Sequence, residues 1–168
     1  MTEFEKVRNE FISQWGVLGN SWGINRTMAQ IHAYLMTSPH PLSTQNIMDE
    51  LEISRGNANT NLRELVSWGL VRTTTYKGDR KEYFIAEKDV WKMFCTISSE
   101  RRRREITPAL DLLRRSKETK TKAKTEEEIA FYEQIQKLEA FVSVADSIME
   151  KVSKSEHNRL MPKVLKLW

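Results

Sequence analysis

Between Ser54 and Ser67 lie side chains whose types could read a nucleic acid: Gly56, Asn57, Asn59, Thr60 and Arg63. At about 100° per residue, Ala58, Leu62 and Leu65 define the buried side of a helix here, with Val66 at its margin. Gly56, Thr60, Arg63 and Ser67 then point away, while Asn57 and Asn59 flank the N-terminal end. An ordinary solvated helix face is rich in Glu and Lys; this one is polar and nearly uncharged. Asn pairs with adenine edges, Arg with guanine, and Thr meets the thymine methyl group. Gly56 lets the start of the helix approach a phosphate closely, where free backbone N–H groups and the helix dipole favour an anion. The same face could instead pack against another protein.

The elements around this stretch would have to hold it out. Residues 42–52 carry Ile47 and Leu51 at helical spacing, Ile53 closes a turn, and Ser54 can cap a second helix over 55–68. Gly69 ends that helix. Two strand-like stretches follow, 71–76 and 81–86, joined by Lys77, Gly78, Asp79 and Arg80. Helix, turn, helix and hairpin in this order make a winged helix-turn-helix. Its second helix suits the major groove, and its hairpin tip reaches the backbone through Lys77 and Arg80.

The remainder reads as scaffold. Residues 4–18 place Phe4, Val7, Phe11, Trp15 and Leu18 at steps of three and four, and the stretch 19–23, with Gly19 and Gly23, breaks that helix. Asn25 can cap the next helix, which carries Met28, Ile31 and Leu35 and stops before Pro39. Asp89 opens a helix with Val90, Phe94 and Ile97; Thr107 and Pro108 restart or kink it. The lysine-rich stretch 116–124 reads as a loop. In the last long helix, Phe131, Ile135, Leu138, Val142, Ala145, Met149 and Val152 form a heptad seam, which must be buried against the chain's own helices or against a second copy. Symmetric dimers are common among helix-turn-helix proteins, which favours the second copy.

Several chemistries find no support. His32, His40 and His157 share no metal-ligand spacing with one another or with Cys95. No glycine-rich phosphate loop or nucleophile elbow is present, so neither an enzyme nor a cofactor is expected. His32 reads as a satisfied core or boundary residue, and the acidic run Glu126, Glu127, Glu128 after Thr125 as a helix's first turn. The single cysteine fits a buried position and a cytoplasmic setting; an intermolecular redox bond is the alternative. Neither a signal peptide nor a membrane-spanning stretch is expected. At 168 residues and a net charge of +4, the chain has room for one domain with a helical extension. Charge is oddly distributed. Over 26–80 six basic residues face five acidic ones, whereas 101–124 holds ten basic against three acidic. Arg101, Arg102, Arg103 and Arg104 span every side of a helix, so they either pair with carboxylates across a dimer or touch phosphate.

The stretch Trp15-Gly16-Val17-Leu18-Gly19, and then Trp22-Gly23-Ile24-Asn25-Arg26-Thr27-Met28-Ala29-Gln30-Ile31-His32-Ala33, resembles the N-terminal signature of the GbsR branch of MarR-type regulators. So do Ile53-Ser54-Arg55-Gly56-Asn57, Asn61-Leu62-Arg63-Glu64-Leu65-Val66 and Trp68-Gly69-Leu70-Val71. The resemblance is strong over about 10–86 and mainly architectural beyond. It implies a dimeric winged-helix transcription factor, usually a repressor. It would place Ser54, Arg55, Gly56, Asn57 and Arg63 in the recognition helix and Lys77 and Arg80 at the wing tip, with Ala58-Asn59-Thr60 as the stretch where specificity differs. Some relatives respond to choline or other osmolytes. Trp15, Trp22, Trp68 and Trp91 offer rings for a cation cage, near a carboxylate such as Glu10 or Glu64, though each also suits a core.

The expected fold is mainly α with a two-stranded β-wing: an N-terminal scaffold and dimerisation helix (1–24), a winged helix-turn-helix (25–88) and a helical dimerisation region (89–168). The expected partners are double-stranded DNA, a second copy and a small effector. The rival readings are a winged-helix protein-interaction module without a DNA site and an RNA-binding winged helix.

Overall fold

Helix α1 (Glu3–Ser21) opens with a capping box in which Thr2 and Glu5 satisfy each other's backbone N–H groups. It ends within the stretch 19–23, as expected, with Ser21 its last residue and Trp22 its C-cap. A Cβ on Gly19 would stand 2.5 Å from the Cβ of Ala29, and one on Gly16 would stand 2.6 Å from Cγ of Gln30. Both glycines are there for close approach to α2 (Arg26–Thr37), not to end the helix. The turn is made at Gly23, whose φ of 76° is left-handed. Asn25 then caps α2 through the backbone N–H of Met28.

The computed structural model describes residues 1–118 and 125–155, which fall into two units, Met1–Met93 and the residues from Phe94 onward. In the first unit α1 packs on α2, and α2 on α3 (Thr44–Leu51), α4 (Arg55–Ser67) and the sheet. Ile31, Ile47, Leu62 and Leu65 are essentially inaccessible at its centre.

The sheet is three-stranded and antiparallel, in the order β1-β3-β2, with β1 Leu42–Ser43, β2 Val71–Thr74 and β3 Tyr83–Ala86. The expectation of a two-stranded wing, with a helix from residue 42, is therefore corrected. Ser43 is the N-cap of α3, forming a capping box with Asn46, so Leu42 and Ser43 stay extended and pair with Phe84 and Tyr83. Strands β2 and β3 are shorter than the stretches 71–76 and 81–86, leaving a longer tip. Between α3 and α4 the turn passes through Glu52 in the left-handed region (φ 51°, ψ 42°).

In the second unit α5 (Val90–Arg101, shared at its start with the first) runs into a π-helical segment, Arg102–Ile106, and then α6 (Thr107–Glu118). Thr107 returns its hydroxyl to the carbonyl of Arg102 at 3.2 Å. The change of helix that Thr107 and Pro108 foretold is thus a π-segment just before them. Helix α7 (Glu126–Lys154) starts with a Thr125–Glu128 capping box and packs on α6 and the π-segment. The expected lysine-rich loop is helical as far as Glu118; residues 119–124 lie outside the described residues, as does His157. Cys95 is buried, with its thiol 3.3 Å from the carbonyl oxygen of Val152, which leaves it no route to an intermolecular bond in this fold.

Candidate nucleic-acid interface

Ser54 caps α4 by accepting from the backbone N–H of Asn57. Ala58, Leu62 and Leu65 turn into the core, and Asn61 joins them although it is polar. Asn61 is tolerated there because its amide donates to the carbonyl (2.9 Å) and to the side-chain oxygen (2.7 Å) of Asn57. Apolar periodicity alone could not reveal it; the Asn57/Asn61 spacing of four was the available signal. Opposite this core, Ser54, Arg55, Gly56, Asn57, Thr60 and Arg63 are exposed and Asn59 is half-buried. Those side chains thus form one outward surface that carries two charges, Arg55 at the start of the helix and Arg63 two turns further on.

The wing tip is built by its own side chains. Asp79 accepts from the backbone N–H of Lys81 at 2.9 Å and from the hydroxyl of Tyr83 at 2.7 Å. These donors hold its carboxyl below the usual carboxylate range, the backbone N–H of Lys81 most strongly, and the Tyr83 phenol is correspondingly raised. Tyr76 meets Tyr83 edge-on at 4.9 Å, and Gly78 makes the turn at φ 85°. Lys77 and Arg80 project from this frame and are exposed.

The four-arginine run is engaged within its own chain. Arg102 makes a two-pronged pair with Asp146, 2.7 and 2.9 Å, and lies 3.6 Å from Glu150. Arg103 and Arg104 share Glu100, and Arg101 reaches Glu105. Pairing across a dimer is not needed to account for them. Glu139 similarly accepts Lys117 and Arg114. Among the described residues, the positive charge of Arg101, Arg102, Arg103, Arg104, Arg114 and Lys117 is thus matched locally by carboxylates.

Along α7 the expected seam is only half covered. Ile135, Val142, Ala145, Met149 and Val152 are partly buried, whereas Phe131 and Leu138 are exposed. Beside the seam, Phe141, Val144 and Ile148 are 74%, 59% and 57% exposed, an apolar strip left uncovered among the described residues. Helix α1 carries another: Phe4, Val7, Phe11, Leu18 and Trp22.

Of the four tryptophans considered for a cation cage, Trp15 and Trp22 meet edge-on at 6.2 Å, with Phe11 at 5.5 Å from Trp15. Trp68 instead donates its indole N–H to Glu64 at 2.9 Å, and Trp91 lies at the start of α5. His32 is a buried core residue, as expected, but among the described residues its Nε2 has no hydrogen-bond partner, so it is not satisfied there. Burial pushes its pKa down to about 4. Among the described residues no group of His, Cys, Asp or Glu could hold a metal ion, and no helix is long and apolar enough to cross a membrane.

A helix-turn-helix followed by a hairpin that a short third strand braces is the arrangement of the winged helix-turn-helix class. No family model matches the chain. It is similar to the HTH-type transcriptional repressor GbsR of Bacillus subtilis, 21% identical over 167 residues that cover 94% of this chain and 92% of the relative. It is also similar to the HTH-type transcriptional regulator MmpR5 of Mycobacterium tuberculosis, 29% identical over 76 residues, 45% of this chain and 46% of that one. A solved structure described as that of a transcriptional regulator shares the fold, with a TM-score of 0.69 at 20% identity, covering 89% of this chain and 97% of its own.

Proposed function

We propose that this chain is a sequence-specific, double-stranded-DNA-binding transcriptional regulator, a cytoplasmic dimeric repressor of the GbsR branch of MarR-type regulators. The observation that carries this reading is the exposed, nearly neutral face of α4, formed by Gly56, Asn57, Thr60 and Arg63 and flanked by Asn59, together with the exposed wing cations Lys77 and Arg80. Such a face offers hydrogen-bonding groups to base edges without committing the helix to non-specific charge, and the tip supplies phosphate contact. An exposed apolar face would have suited a protein partner better. The uncovered apolar strips on α1 and α7 support assembly with a second copy, since contiguous apolar surface of this kind marks an interaction face. Trp15 and Trp22 supply two rings toward a site for a cationic effector, while Trp68 is directed to Glu64.

Selection of bound sequences from a random duplex library tests the reading. Recovery of a two-fold symmetric motif is the expected result. Failure to enrich any duplex, or preferential retention of RNA in a parallel selection, would refute it.

A further inference from the structure

The pairing of β1 with β3 has a local effect beside the wing tip. Ser43 lies opposite Tyr83, so the first turn of α3 stands beside residues 80–82. Arg55, the first residue of α4, completes the group: its guanidinium donates to Oε1 of Gln45 at 3.5 Å, while Nε2 of Gln45 is held by Asp49 at 2.7 Å. Together these elements enclose a half-open cleft of about 410 Å³ whose lining includes Thr44, Gln45, Arg55, Arg80, Lys81 and Glu82.

Every side chain lining that cleft is polar or charged. A site for a drug-sized organic ligand is lined mostly by apolar and aromatic groups, which this one lacks. Three cations face one carboxylate, so the cleft is a seat for an anion rich in oxygens. Arg55 contributes directional N–H groups, and the Asp49–Gln45 chain orients them. Arg80 and Lys81 approach from the wing, a separate element.

We propose that this cleft seats a single phosphodiester of bound duplex, held jointly by Arg55, Arg80 and Lys81. The proposal rests on the DNA-binding reading and adds Lys81 and the Gln45 support to it. A diester fits better than a free anion because the cleft is open and adjoins two exposed surfaces, the start of α4 and the wing tip, past which a polymer backbone can run. The three cations are then not three independent contacts. They form one contact assembled from two elements, with Glu82 opposing it.

The test is the salt dependence of duplex binding by the wild-type chain, Arg55→Gln, Lys81→Gln, the double variant and Glu82→Gln. One neutralised phosphate contributes about 0.9 to the slope of log K against log salt. The expected result is that the double variant loses about one such increment in total, with less loss of affinity than the two single losses multiplied. Glu82→Gln should tighten binding several-fold. Additive losses approaching two increments would mean separate phosphates, and unchanged slopes would mean no contact; either overturns the shared seat. Glu82→Gln binding no more tightly than wild type would overturn it as well. Inorganic phosphate that saturates the wild-type chain without DNA, but not the double variant, would assign the cleft to a free anion and also overturn it. A wild-type chain that binds no duplex removes the DNA reading itself, and the seat with it; a wild-type chain that binds, with variants behaving independently, removes the seat alone.

Discussion

Substituting Gly19 by Ala should destabilise the first unit, although the same change at an exposed helical glycine would stabilise it. On helix propensity alone, Ala is favoured over Gly by about 1 kcal/mol. The new Cβ, however, would stand 2.5 Å from Cβ of Ala29, where ordinary contact begins at 3.4 Å, so α1 and α2 must part by about 1 Å. Neither atom sits at the end of a flexible side chain, and the strain spreads into the backbone of both helices. Overpacking of this kind costs about 1–3 kcal/mol, and the clash lies toward the upper part of that range. The net expectation is a loss of about 1–2 kcal/mol. Urea unfolding followed by tryptophan fluorescence suits the measurement, because Trp15 and Trp22 both lie along α1 or at its C-cap. The midpoint should fall with no change in the urea dependence. Adding Ala29→Gly should reverse part of the loss, a coupling of about 1–2 kcal/mol between touching sites. A Gly19→Ala chain that is more stable than wild type by about 1 kcal/mol would refute the close crossing.

His32 makes stability depend on pH. Its folded pKa of about 4 lies below the ordinary histidine value of 6.5, so between these values the unfolded chain binds the extra proton and acidification weakens the fold, by up to about 3 kcal/mol at pH 4; above pH 6.5 the effect is absent. Chemical denaturation of wild type and His32→Gln between pH 7 and 5 checks this, since a similar slope in both would remove the histidine from the account. Arg63→Ala should cost about 1–3 kcal/mol of affinity for a selected operator if the guanidinium makes a two-pronged base contact, with circular dichroism unchanged. Equal affinity would take Arg63 out of the interface. Leu138→Glu puts a charge on the exposed border of the α7 seam and should yield monomers by sedimentation, with loss of tight operator binding; a normal dimer would place the self-contact elsewhere.

Much of the fold was legible because its signals are local. Asn25, Ser54 and Thr125 each announce a helix start through one side chain and one backbone N–H, and each does so in the structure. What stayed hidden depends on distant partners. A two-residue strand such as Leu42–Ser43 has no periodicity; only its pairing with β3 makes it a strand. The stretch 19–23 does end α1, but the role of Gly19 within it was hidden because it depends on Ala29, on another helix. The arginine run was ambiguous for the same reason, since Asp146 and Glu150 are more than forty positions away from Arg102. The outward residues of α4 followed directly from helical angle, whereas Asn61 did not, because a polar residue can enter a core when a neighbour satisfies it.

The wing is braced at both ends. Strand β1 closes the free side of β3, and Asp79 ties Lys81 and Tyr83 at the tip. A hairpin with one open edge and a loose turn would lose conformational entropy on meeting a partner, and its cations would search for their targets. Here most of that ordering is complete before the encounter, so less of the binding free energy is lost to it. The wing should therefore act as a stiff prong: its contacts form together or not at all, and a partner of the wrong contour meets a surface that does not adjust to it.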